Sequence, residues 1–127
     1  MKKIIKTKQA AAPIGPYNQA ILVNGFLYTS GQIAIHPETG ETEFDSIENE
    51  TQRVMKSLEA ILKEANLDFS HVIKASIFIS DMDNFSKINA IYGSYFDEQT
   101  APARETIQVA RLPKDANVEI SLIAYLE

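Results

Sequence analysis

Cysteine is missing from this 127-residue chain, and with it go disulfides, zinc ribbons, thiolate metal centres and every cysteine nucleophile. Histidine is nearly missing too: His36 and His71 are too few for a multi-histidine metal site within one chain. Long apolar runs are also lacking. None approaches the ~20 residues that cross a bilayer, and the two isoleucines among the four lysines of Met1 to Lys8 make no signal-peptide core. Positive charge is scarce, with 12 Lys and Arg against 17 Asp and Glu and a net charge of -5. Proteins that grip phosphate backbones are usually basic, so nucleic acid is disfavoured as a partner. The expectation is a soluble, cytoplasmic, acidic protein with no membrane partner. Arginine occurs only at Arg53, Arg104 and Arg111.

What is present is an ordinary globular composition, 45% hydrophobic and 23% charged. Without repeats, low-complexity tracts or linkers, residues 1–127 read as one domain. Pro13, Gly15 and Pro16 favour an irregular loop over Ala10 to Pro16. Two β-favouring runs, Tyr17 to Val23 and Phe26 to Ile33, flank Asn24-Gly25, the strongest short-range hairpin signal. His36 to Gly40 reads as a turn.

Ile47, Thr51, Val54, Met55, Leu58, Ile61, Leu62 and Ala65 recur at helical spacing and predict a helix over Asp45 to Asn66. Asp45 with Glu48 fits a capping box, and Asn66 suits the left-handed residue that ends a helix. Val72 to Ser80 reads as a strand with Ile73, Ala75, Ile77 and Ile79 on one face. A second helix starts among Asp81 to Asn84 and runs to about Phe96. Arg104 to Ala110 and Val118 to Leu126 are further strands, the last with Val118, Ile120, Leu122, Ala124 and Leu126 facing one way. The order predicts an α+β fold, a mixed sheet with two helices on one face. The opposite face of the last strand, with Glu119, Ser121, Ile123 and Tyr125, is too apolar to be left in water, which predicts an oligomer.

No hydrolase elbow, Walker loop, His-Glu-x-x-His or Gly-x-Gly-x-x-Gly is present. Both histidines read as structural. Asn89 falls at the edge of the apolar stripe Phe85, Ile88, Tyr92 and Phe96, where a primary amide needs hydrogen-bond partners. Arg104 opens a strand and shares a face with Thr106 and Gln108. Read alone it is either a solvated strand end or a bidentate carboxylate anchor. Glu119 has the same ambiguity. If the two strands pair, guanidinium and carboxylate can approach one site.

Ile14-Gly15-Pro16-Tyr17, Ser30-Gly31-Gln32-Ile33, Asn89-Ala90, Pro102-Ala103-Arg104, Val109 to Asp115 (Val-Ala-Arg-Leu-Pro-Lys-Asp) and Val118-Glu119-Ile120 together resemble the RidA (YjgF) family. The matches run in order across essentially the whole chain. The resemblance implies a chorismate-mutase-like fold and a homotrimer with sites in the clefts between subunits. It also implies hydrolysis of 2-imino acids, 2-iminobutanoate and 2-iminopropanoate, to 2-keto acids and ammonia, without cofactor or metal. Arg104 would hold the substrate carboxylate, and Glu119 would position and deprotonate the attacking water. Tyr17, Ser30 and Asn89 would line the pocket, with the Gly31 and Thr106 backbones nearby.

Three positions depart from that pattern. Thr106 stands where many relatives have cysteine, Glu105 where a small residue is usual, and Ser121 where a second glutamate often follows. Glu105 should point away from Arg104 on an extended strand. The same cleft without turnover would make a ligand-sensing trimeric regulator. A nuclease reading is opposed by the net charge and the lack of a histidine pair.

Overall fold

The computed structural model describes residues 1–127. Six strands, β1 (Lys3–Ile5), β2 (Ala20–Val23), β3 (Phe26–Thr29), β4 (Val72–Ile79), β5 (Ala103–Gln108) and β6 (Val118–Tyr125), form one sheet in the order β1-β2-β3-β6-β4-β5. Neighbours are antiparallel except β4 and β5, which are parallel. A parallel pair needs a crossover. Here it contains α2 (Phe85–Gly93), which packs beside α1 (Ile47–Glu64) on one face of the sheet. The expected mixed sheet with two helices on one face is what the chain adopts.

Between helices and sheet lies a single buried cluster. It includes Val54, Met55, Leu58, Ile61 and Leu62 of α1, Ala75, Ile77 and Ile79 of β4, and Val118, Ile120, Leu122 and Ala124 of β6. Each large side chain buried here contributes about 1.5–3 kcal/mol. The hairpin falls where the sequence places it, Val23 opposite Phe26, with Asn24 (φ 50) and Gly25 (φ 83) in the left-handed region.

Several boundaries differ from the sequence reading. The cap of α1 is Ser46, whose hydroxyl accepts from the Asn49 N–H at 3.0 Å, so the Asp45–Glu48 box does not form. Asp45 instead accepts from the Asn49 side chain at 2.9 Å. Asn66 does take φ 60. In β4 a register shift between Val72 and Lys74 inserts one residue, so Val72 is buried and Ile73 is 46% exposed. Ile73 therefore leaves the face it was expected to share with Ala75. Asp81 caps a short 3-10 turn (Met82–Asn84) rather than α2 itself, and α2 stops at Gly93. Leu126 lies beyond β6 and is exposed.

Strand β1 was not anticipated, because three residues are too short for alternation to register. A buried amide binds this region to the sheet. Gln19 donates to the carbonyls of Thr7, Ala10 and Ala11 at 3.0, 3.2 and 2.9 Å and accepts from the Thr7 N–H at 2.7 Å.

No helix covers the other face. Ile4, Tyr28 and Ile107 are 51%, 47% and 45% exposed there, among half-buried Phe26, Phe78, Ile123 and Tyr125. No helix is long and apolar enough to cross a membrane.

Candidate functional site

Arg104 and Glu119 stand on strands that do not pair, since β4 lies between β5 and β6. Register decides where each points. Arg104 is level with Ala75 and Leu122, both buried toward the helices. Glu119 is level with Phe78 and Ile107, on the open face. One chain thus holds the two charges on opposite sides of its sheet, and the approach considered from strand pairing does not occur within it.

On the helix side, Arg104 Nη1 donates to Asn89 Oδ1 at 2.6 Å. The guanidinium carbon lies 5.2 Å from the Tyr92 ring centroid and 5.6 Å from that of Phe85. Thr106 shares the Arg104 face, and its hydroxyl is buried without a partner. A cavity of about 420 Å³ opens beside Arg104, Asn89 and Tyr92. Burial pushes the Tyr92 phenol up to about 12, against the opposing pull of the Arg104 charge. Glu105 points the other way, within 3.4 Å of Lys74 and 3.2 Å of the Ser76 hydroxyl, as extended-strand alternation requires.

On the open side, a second cavity of about 340 Å³ brings together Tyr17, Gly31, Lys114 and Glu119, with Ile14 and Ile33 as apolar walls. Burial raises the Glu119 carboxyl above its ordinary value, because the charged form loses solvation there. Gly31 lies directly against this side chain: a Cβ at position 31 would sit 2.8 Å from Glu119 Cδ and 3.0 Å from Cγ. The neighbouring backbone is fixed by reciprocal bonds between Gln32 and Ile120, at 2.9 and 3.2 Å. Ser30 lies near but is already engaged, its hydroxyl donating to the Asn18 carbonyl at 2.5 Å.

The segment leading into β6 is held from both ends. Arg111 forks onto Asp115 at 2.6 and 3.2 Å, while Lys114 (φ 56) and Asp115 (φ 57) both occupy the left-handed region. Fully buried Glu50 accepts from the Asn117 N–H and side-chain amide, each at 2.7 Å, and from the Val118 N–H at 3.3 Å. Glu119 therefore starts from a clamped backbone. Its reach is set by Gly31 and the strand.

Both histidines are structural. His36 Nδ1 accepts from the Glu38 and Thr39 N–H groups, and His71 Nδ1 accepts from the Asp68 N–H. No cluster of three or more His, Cys, Asp or Glu is placed to hold a metal. A larger concavity of about 770 Å³ along α1 carries Arg53, Lys56, Glu59 and Lys63. Its arginine is paired with Glu43 at 2.7 Å, and the concavity includes neither Arg104 nor Glu119.

Sequence reasoning missed four residues of these two clusters. Phe85 and Tyr92 look like core stripe, although their spacing of four and three residues from Asn89 puts all three on one helix side. Glu50 carried a signal, a lone acid three residues after Ile47 inside an apolar stripe. Lys114 lies within the Val109–Asp115 motif, but its residue type does not mark it as part of a cleft.

The fold and the two clusters define a class: a small α+β protein with one arginine held by an amide and two aromatic rings, and one half-buried carboxylate on the opposite face of its sheet. The family model described as Endoribonuclease L-PSP matches residues 7–126. A Lactococcus lactis protein with the provisional name regulator AldR is 52% identical, over 96% of this chain and 96% of that protein. Reactive Intermediate Deaminase A, chloroplastic, of Arabidopsis thaliana is 42% identical, over 98% of this chain and 66% of its own length. The crystal structure of Escherichia coli TdcF with bound serine superposes with a TM-score of 0.92 at 39% identity, covering 98% of this chain and 99% of that one. The chain belongs to this family, the RidA family its motifs resemble.

Proposed function

We propose that this protein hydrolyses small 2-imino acids, such as 2-iminobutanoate and 2-iminopropanoate, to 2-keto acids and ammonia. We propose further that each site is built from two copies of the chain in a homotrimer. The observation that carries the reading is the split site. One chain offers an arginine anchor on one side of its sheet and a half-buried carboxylate on the other, next to an uncovered apolar face. A second copy covering that face can bring its Arg104 to the first copy's Glu119.

The chemistry suits these residues. A protonated imine is already electrophilic, so a placed water suffices as nucleophile. Arg104 holds the α-carboxylate and fixes the imine carbon. Glu119 takes a proton as the water oxygen bonds to that carbon and returns it to the nitrogen. It then takes the hydroxyl proton as the C=O bond forms, the C–N bond breaks and ammonia leaves, and releases that proton to solvent. The raised proton affinity of Glu119 brings it closer to neutral pH, where such shuttling is most effective. The serine in TdcF, a small α-carboxylate compound, is consistent with this ligand class. Asn89 acts by holding Arg104, and Tyr17 forms a wall of the carboxylate cleft.

The test couples the protein to a threonine dehydratase with an amine that traps imine. Wild type should lower trapped imine, while Arg104→Ala and Glu119→Ala should not. Mixing the two variants after dissociation should restore about a quarter of wild-type activity, because a random ring of copies makes that share of sites intact. A mixture as inactive as its parents would defeat the shared-site reading. Failure of wild type to speed keto-acid formation would defeat the activity. The relative named for regulation keeps one second reading, a ligand sensor using the same cleft, which predicts small-carboxylate binding without turnover.

A further inference from the structure

Arg104 is an exposed residue on an edge strand, the setting in which a long side chain samples many rotamers. Three side chains of α2 oppose that freedom. Asn89 Oδ1 accepts from Nη1 at 2.6 Å, and the rings of Tyr92 and Phe85 lie 5.2 and 5.6 Å from the guanidinium carbon, inside the range of a cation–π contact. Their spacing along α2 puts them on one side of the helix, turned to β5. The Tyr92 platform is itself anchored. It is 5% exposed and packs at a tilt against Phe96, ring centroids 4.8 Å apart, and Phe96 meets Phe69 edge-on at 5.3 Å. Its hydroxyl is buried with no partner, so nothing in the fold uses the phenol oxygen. The ring is the part that matters.

We infer that Tyr92 and Phe85 are positioning residues for Arg104: two aromatic faces and the Asn89 amide hold the guanidinium in one orientation, ready to receive a carboxylate. The inference rests on the proposed function, because it takes Arg104 as the anion anchor. Rotamer freedom lost before binding is not lost again on binding. Removing a ring should therefore weaken ligand affinity and raise KM, and leave kcat nearly unchanged, since the rings do not touch the reacting atoms.

Pyruvate titrated calorimetrically into the intact protein is the probe. Tyr92→Leu and Phe85→Leu should each weaken pyruvate binding about five-fold, the equivalent of one cation–π contact of roughly 1 kcal/mol. Tyr92→Phe keeps the ring and should rescue affinity to within about two-fold of wild type. The Arg104 Nε–H resonance should lose one ring's share of its ring-current shift in each leucine variant and keep both in Tyr92→Phe. Where Tyr92→Leu fails to fold, half-buried Phe85→Leu carries the test. Unchanged pyruvate affinity in the leucine variants overturns the inference, as does a Tyr92→Phe loss as large as that of Tyr92→Leu. A wild type that binds no pyruvate, or an Arg104→Ala variant that binds it as tightly as wild type, overturns the proposed function instead.

Discussion

Gly31→Ala tests whether the position of the Glu119 carboxylate matters, with little disturbance elsewhere. Gly31 is exposed, and its backbone is not among those with positive φ, so alanine fits the chain conformation. The three atoms nearest the new Cβ all belong to Glu119. The new Cβ would meet Cδ at 2.8 Å and Cγ at 3.0 Å, while ordinary carbon contacts lie near ~3.5–4 Å. The carboxylate must therefore move by about 1 Å, a misplacement that can cost about 10²-fold in rate. That loss corresponds to ~2.7 kcal/mol in the barrier. Exposed positions of this kind change folding stability by only about 0.5 kcal/mol, so the melting temperature should hold within a few degrees. The assay is kcat/KM in the dehydratase-coupled trap, alongside a thermal melt. A variant with wild-type kcat/KM and an unchanged melt would refute the argument, because the carboxylate would have moved without consequence.

Three further outcomes follow from the same geometry. Glu50→Ala leaves the Asn117 and Val118 N–H groups and the Asn117 amide without their acceptor. It should cost about 3 kcal/mol in a urea melt, and Glu50→Gln, which keeps one acceptor oxygen, should cost less. Gly25→Ala places a Cβ 2.6 Å from the Leu126 carbonyl at φ 83, and should destabilise by about 2 kcal/mol in the same melt. Because the folded state raises the proton affinity of Glu119, the folded chain binds more protons there than the unfolded chain does between the two values. Stability contributed by this group therefore falls as pH rises through that window. Glu119→Gln should be more stable than wild type at neutral pH, and the gain should vanish below the ordinary carboxylate range. The acid limb of the wild-type kcat/KM profile should lie above that range for the same reason.

Layer order and hairpin were legible because each has a local cause. The α1 stripe repeats over five turns, and Asn24-Gly25 meets the φ demand of a two-residue turn on its own. The register of β4 was not legible, because the irregularity between Val72 and Lys74 depends on how β4 meets β6. Ile73 is as apolar as Ile77, and only the extra residue turns it outward. Similarly, the interruption at Asp81 to Asn84 arises where backbone N–H groups find closer acceptors: the Asp81 side chain takes that of Asp83, and Gln108 takes that of Met82 at 2.7 Å. For the site, residue types were readable and directions were not. Arg104 and Glu119 were picked out by chemistry, but their faces depend on β4 entering between their strands, a long-range event that no local pattern records.

That insertion has a functional consequence. With β4 between them, Arg104 and Glu119 of one chain cannot meet without leaving the sheet. The uncovered face then has two roles: it exposes Tyr28 and Ile107, and it opens the cleft that holds Glu119. A copy docking there would bury apolar surface and remove water around Glu119 in the same event, while its Arg104 charge would favour the ionised carboxylate. For the proposed shared site, assembly and catalytic competence would be one equilibrium. Specific activity should fall on dilution in step with the loss of oligomer seen by light scattering. Activity that persists unchanged in a solution of monomers would separate the two and reject the shared site.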